Sequence, residues 1–277
     1  MSKKKFFDWE GRRSHEKFGN SEFELPILYF RDDVFTAFFS ANLKKVKDVL
    51  PTTDLKPVTL TTGKAMVVVG AFNYIDTSIG PYGEIVVGIP VVWKTKSIPI
   101  FSGLLEKYYP GFGIFVLHLP VTKKEAMEAG RGVWNYPKFV SDMYFKNTPE
   151  SASVRMFEEK EYILGLKVNK LGPIVIDNRP IITYTEKNGD IIKTVIPSKN
   201  TYRLCVRPNA GSLELGEHTV SETIKELQLG KNPIMVRYYI DRWGILPEGD
   251  IVGKSEKRYN GYIGKEREKG EHKVSYI

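Results

Sequence analysis

Apolar residues in this chain fall in runs of strand length, separated by glycine and proline. Val67–Tyr74, Glu84–Trp93, Gly113–Leu119, Val154–Phe157 and Tyr162–Val168 each combine β-branched and aromatic residues over four to ten positions. Ile181–Thr185 and Ile191–Ile196 flank Asn188-Gly189, a dipeptide that favours a two-residue hairpin turn. Gly80-Pro81 marks another turn, ahead of the Glu84 run. Many short strands broken by such turns predict a mainly β, β-rich α+β fold, an antiparallel barrel or sandwich.

Three short helices have recognisable ends. Asn42 is placed to cap Leu43–Leu50, and Pro51 stops it. Thr122 with Glu125 has capping-box spacing for a helix over Lys123–Ala129, with Gly130 as its left-handed cap. Thr219 with Glu222 repeats that spacing before Val220–Leu229, which Gly230 follows. No repeat, low-complexity tract or internal linker interrupts the chain, so residues 1–277 are expected to form one domain, with a charged C-terminal arm from about residue 250.

Composition narrows the function classes. The chain is 277 residues long, 42% hydrophobic and 27% charged, within the range of globular domains. It contains no apolar run long enough for a membrane helix and no signal-peptide core, and its single cysteine, Cys205, forms no internal disulfide framework. A cytoplasmic protein with no membrane partner is expected. The net charge of +8 is concentrated near Lys3–Lys5 and in the tail from Lys254 to Lys273, where acidic residues are interleaved. That mixture suits a solvated or subunit-wrapping arm, and nucleic acid is not expected as a partner. An acidic small molecule suits the modest positive charge equally well.

The motifs of common enzyme chemistries are absent. His15, His118, His218 and His272 are far apart with no metal-ligand spacing, so no metal is expected. Cys205 lies in an alternating, strand-like run and reads as a small buried residue. No nucleophile elbow, phosphate loop or dinucleotide fingerprint appears, and no cofactor is expected. Lysine, arginine and carboxylate chemistry remain.

Gly130-Arg131-Gly132-Val133-Trp134-Asn135-Tyr136-Pro137-Lys138 resembles the signature of the acetoacetate decarboxylase family. Gly80-Pro81-Tyr82-Gly83-Glu84, the Leu43–Leu50 helix with Pro51, and Leu215-Gly216-Glu217-His218 resemble further family segments, together spanning roughly residues 30 to 245. The resemblance implies a barrel cavity that binds a small oxo-acid or related carbonyl compound, and a homo-oligomer. It also implies a lysine Schiff base, with two adjacent lysines after Tyr-Pro and the second as nucleophile; here these positions are Lys138 and Phe139. Consecutive strand residues point to opposite faces, so a cavity-facing Phe139 turns Lys138 away.

Three readings follow. In the first, the protein binds an oxo-acid without the family's Schiff base, with Glu84 as acid or base and Arg31 as carboxylate anchor. In the second, it is a decarboxylase or other carbon–carbon lyase in which Lys138 forms the imine. In the third, it is a non-catalytic binder of an apolar ligand. Phe139, Tyr136, Trp134 and Arg131 are the candidate substrate contacts. A second family glutamate falls at Gly70.

Overall fold

The structure is a computed structural model that describes residues 2–96, 111–265 and 274–276. Its centre is a large, open sheet. In spatial order the main path runs Ile174–Asp177, Ser198–Cys205, Met235–Leu246, Ile27–Asn42, Lys64–Thr77, Tyr82–Trp93, Phe112–His118, Ile181–Lys187, Asp190–Ile196 and Asp250–Lys254. All neighbours on this path are antiparallel except Phe112–His118 with Ile181–Lys187, which are parallel. The two ends of the path do not pair with each other, so among the described residues no closed barrel forms. The sandwich alternative holds. A second sheet orders Gly211–Leu215, Glu161–Asn169, Ser151–Glu158, Asp142–Asn147 and Val274–Tyr276.

The two sheets share one apolar core, in which Val67, Val69, Ile85, Val87 and Phe115 meet Met143, Val154, Met156, Leu164 and Leu166. The long strand Lys64–Thr77 is buried along most of its length, as its unbroken Val67-Val68-Val69 run requires. The predicted strand runs are all present, usually a few residues longer. The hairpin turn is where it was expected, with Asn188 at φ 54° and Gly189 at φ 93°. Cys205 is buried, as predicted.

Helix ends differ instructively. Asn42 caps Leu43–Val49 through its side-chain oxygen, which accepts from the Lys44 and Lys45 amides. The helix predicted over Lys123–Ala129 instead runs Lys124–Trp134. Thr122 is not its cap, because its hydroxyl accepts from the Gly83 amide at 2.8 Å and joins the helix entry to the sheet. Gly130 is not its end either. The chain passes through Gly130 in helical conformation and closes at Asn135, at φ 52°. The last-turn carbonyls find partners across the hairpin: Lys187 Nζ donates to those of Gly132 and Val133, and Thr185 Oγ1 donates to that of Trp134. The last helix spans Thr219–Glu226 and is capped by His218 rather than Thr219, with left-handed Gln228 rather than Gly230 beyond its end.

The C-terminal stretch from Ser255 to Lys265 lies against its own chain. Glu256 accepts from the Thr53 amide, Arg258 pairs with Glu186, and the Tyr259 and Tyr262 hydroxyls donate to the Leu117 carbonyl and to Glu158. This described part of the C-terminal arm is folded along the surface of its own chain. Its remainder, residues 266–273, lies outside the described residues.

Candidate active site

Tyr136-Pro137-Lys138 forms a tight turn with Pro137 at its centre, in which the Lys138 amide donates to the Tyr136 carbonyl at 2.7 Å. Proline's fixed φ makes this a ready-made bend. The segment then runs beside Leu119–Val121. The Leu119 amide donates to the Pro137 carbonyl and the Val121 amide to that of Phe139. Alternation along this extended stretch sends Tyr136 and Lys138 to one side and Phe139 to the other.

The side that receives Lys138 is a cavity of about 90 Å³, enough for one small acid or a few waters. Lys138 Nζ donates to Glu84 Oε2 at 2.6 Å, and the two side chains are only 5% and 9% exposed. Glu84 Oε1 accepts from the Tyr74 hydroxyl at 3.2 Å. Tyr29 and Tyr82 share a hydrogen bond at 3.1 Å, and the Tyr136 hydroxyl meets Thr183 Oγ1 at 2.7 Å. Phe72, Val86, Val116, Leu119 and Leu246 supply apolar wall. Strand alternation explains the grouping, because Phe72 with Tyr74, and Glu84 with Val86, are i, i+2 pairs on adjacent strands in register.

The arginine of this cavity is Arg242, from the strand Met235–Leu246. It is ion-paired with Asp32, and both side chains are buried. Burial works against its charge, but the Asp32 carboxylate more than compensates and holds Arg242 above the ordinary arginine range. Burial raises the phenols of Tyr29, Tyr74, Tyr82 and Tyr136 above their usual value, and the charge of Glu84 adds to the effect. They remain hydroxyl donors through neutral pH. The cavity therefore holds one amine, one carboxylate, one guanidinium and a ring of phenols within apolar walls.

A larger cleft of about 640 Å³ elsewhere is bordered by Lys47, Leu55, Lys56 and Glu256, and among the described residues it holds no buried ion pair. No group of His, Cys, Asp and Glu among the described residues could hold a metal ion. No helix among them is long and apolar enough to cross a membrane.

The family model described as acetoacetate decarboxylase matches residues 17–252, most of the chain. The protein belongs to the acetoacetate decarboxylase family. The acetoacetate decarboxylase of Legionella pneumophila subsp. pneumophila str. Philadelphia 1 is 15% identical with a TM-score of 0.65, over 90% of this chain and 94% of that one. An acetoacetate decarboxylase-like enzyme from Sphingomonas wittichii RW1 is 12% identical with a TM-score of 0.52, over 83% and 92%. The enduracididine biosynthesis enzyme MppR, solved with the condensation product of pyruvate and imidazole 4-carboxaldehyde, is 9% identical with a TM-score of 0.59, over 82% and 89%. At such identities these likenesses establish the fold. No curated protein sequence gives a significant match.

Among the expected site residues of this family member, Lys138, Glu84 and Tyr136 come together in the cavity. Phe139 does not join them. It is 1% exposed within the main core, 5.0 Å from the Tyr262 ring and 6.4 Å from that of His218. The expectation that Phe139 faces the cavity and turns Lys138 away is thus reversed. Two features decide the direction. A Cβ on Gly130 would stand 2.4 Å from Lys138 Cδ and 2.5 Å from Cε, so only glycine leaves the lysine stem its path. On the other side, the core has space for an aromatic ring.

Arg31 is exposed and does not line this cavity. The register between Ile27–Asn42 and Lys64–Thr77 shifts on both sides of Arg31, and the irregularity turns Asp32 inward and Arg31 out. Arg131 holds the segment from behind, its Nε donating to the Lys138 carbonyl at 2.7 Å and its terminal nitrogen to that of Ile263. Trp134 is core. It stacks on Tyr136, and its indole donates to the Pro247 carbonyl at 2.9 Å. Arg242 was missed because no local motif marks it. Its role is visible only once a strand 210 residues away places Asp32 beside it.

Proposed function

We propose that this protein is a lyase acting on a small oxo-acid, with Lys138 as the imine-forming amine. The observation that carries this reading is the 2.6 Å contact between Lys138 and Glu84 inside an apolar-walled cavity. A buried lysine with a single carboxylate partner can surrender its proton to that partner, and only the neutral amine attacks a carbonyl. The position of Phe139 in the core favours this reading over oxo-acid binding without the family's Schiff base.

Lys138 Nζ adds to the ketone carbon of a 3-oxo acid while Glu84 takes the ammonium proton. Loss of water, with proton return from Glu84, gives the iminium. The bond to the carboxylate then breaks, carbon dioxide departs, and its electron pair passes through the α-carbon toward the iminium nitrogen. Protonation of the enamine and hydrolysis release the ketone and regenerate the amine. Arg242 is the side chain suited to receive the carboxylate in the ground state, and Phe72 and Val86 keep the reacting bond in an apolar setting that favours charge-neutralising decarboxylation. Tyr74 fixes the orientation of Glu84.

Carbon dioxide release from acetoacetate tests the proposal. The wild-type protein is expected to release it, and Lys138→Ala at least about a thousandfold more slowly, a loss of about 4 kcal/mol in transition-state stabilisation. Equal rates for the two proteins would overturn the assignment.

A further inference from the structure

The lysine cavity adjoins a second one. Phe72, Val86, Ile114 and Ile181 line both, so these four side chains form a shared wall. The second cavity is larger, about 250 Å³ against about 90 Å³. Its own lining has an apolar part next to the shared wall, Phe38, Val68, Pro90, Phe112 and Ile182, with Thr36, Asn200, Tyr202 and Tyr239 as polar or hydroxyl-bearing neighbours. Val68 and Phe38 are buried there. The outermost strands supply a polar border, with Asp177 paired to Arg179 and with Arg237 set 5.0 Å from both the Phe38 and the Tyr202 rings.

Acetoacetate has only a methyl group beyond its ketone, and it has no use for such a space. Resting on the assignment of Lys138, we infer that the second cavity takes the substituent on the ketone carbon, and that the substrates are 3-oxo acids bearing an alkyl or aryl group of several carbons. With the carboxylate at Arg242 and the ketone at Lys138, a substituent that outgrows the lysine cavity of about 90 Å³ has the adjoining cavity beyond the shared wall to enter. Phe72, Val86, Ile114 and Ile181 carry no charged or hydroxyl group, so this wall imposes no desolvation penalty on an apolar chain that crosses it. The Asp177–Arg179 pair and Arg237 bound the apolar region, so a medium-length substituent fits better than a long acyl tail. Decarboxylation of such an acid releases carbon dioxide and leaves a methyl ketone; the α-carbon keeps the electron pair and gains a proton.

The test uses straight-chain carboxylates that form no imine, which separates this inference from the lysine chemistry. Binding of butanoate, hexanoate and octanoate to the wild-type protein is measured by calorimetry, then repeated with Ile182→Trp and with Val68→Phe, the second keeping the test open should the first fold poorly. Each buried methylene is expected to raise affinity about fourfold, so octanoate binds about two hundred times more tightly than butanoate. In the filled-cavity variants octanoate falls toward butanoate while butanoate itself is unchanged. Affinity independent of chain length would overturn the inference. So would a length dependence that both variants leave intact, since the chain would then lie elsewhere. Imine trapping with acetoacetate reports on Lys138 separately: failure there with a normal length series would remove the lysine assignment and leave the cavity's ligand class standing.

Discussion

Gly130→Ala is the most discriminating single substitution. In an ordinary helix interior this change stabilises by about 1 kcal/mol, because alanine restricts the unfolded chain and is the better helix former. Gly130 sits inside Lys124–Trp134 with no left-handed backbone to forbid a side chain. Yet its Cβ would stand 2.4 Å and 2.5 Å from two carbons of the Lys138 stem, more than 1 Å inside normal carbon–carbon contact. The stem cannot simply swing away, since Glu84 holds its end at 2.6 Å and both side chains are buried. A displacement of about 1 Å breaks that contact and sacrifices roughly 1.5–3 kcal/mol of charged hydrogen bonding. The net expectation is destabilisation of about 0.5–2 kcal/mol, which lowers Tm by about 1–8 °C. Misplacing the amine by the same distance is expected to slow imine formation about a hundredfold. Thermal unfolding and the rate of borohydride-trapped adduct formation read the two effects. A Gly130→Ala protein that is more stable than wild type and forms adduct at the same rate would refute the packing argument.

Other substitutions probe the remaining parts. Phe139→Lys, which supplies a second adjacent lysine, is expected to abolish stable folding: it removes a core ring and buries an unpaired ammonium, a cost of about 5 kcal/mol or more, read by urea denaturation. Arg242→Met leaves the Asp32 carboxylate buried alone and is expected to cost about 3–5 kcal/mol; adding Asp32→Leu recovers most of the stability but not the affinity for carboxylates, as calorimetry with butanoate would show. His118 is buried, and that burial lowers its pKa from 6.5 to about 3. The unfolded chain therefore binds a proton that the folded one refuses between these values. Stability is expected to fall as pH drops through this window, by up to about 1.4 kcal/mol per unit from this group, and His118→Gln should flatten that slope in unfolding titrations.

The β-rich architecture was legible because period and punctuation carry it: runs such as Val67–Tyr74, and Asn188-Gly189 between two strands, specify local structure with local means. The helix through Gly130 was misjudged for a related reason. Glycine after a run of good helix formers such as Lys123–Ala129 ordinarily ends a helix, but here its missing side chain serves a lysine eight residues later, and sequence spacing does not display that need. Tyr136, Lys138 and Glu84 were recognisable from the family resemblance. Which of Lys138 and Phe139 entered the cavity was not, since alternation fixes only that they diverge, and the direction depends on Glu84, Gly130 and the core around Tyr262. Arg31 was displaced by a strand irregularity, and Arg242 reached the cavity through tertiary pairing alone.

The central claim is that Lys138 forms an imine with an oxo-acid, and reductive trapping tests it most directly. The protein is incubated with acetoacetate, and in parallel with pyruvate, reduced with borohydride, and digested for mass mapping, beside a Lys138→Arg control. The account predicts a reduced adduct confined to the peptide containing Lys138 and absent from the control. An adduct on another lysine that persists in Lys138→Arg, or none with either compound, would contradict it.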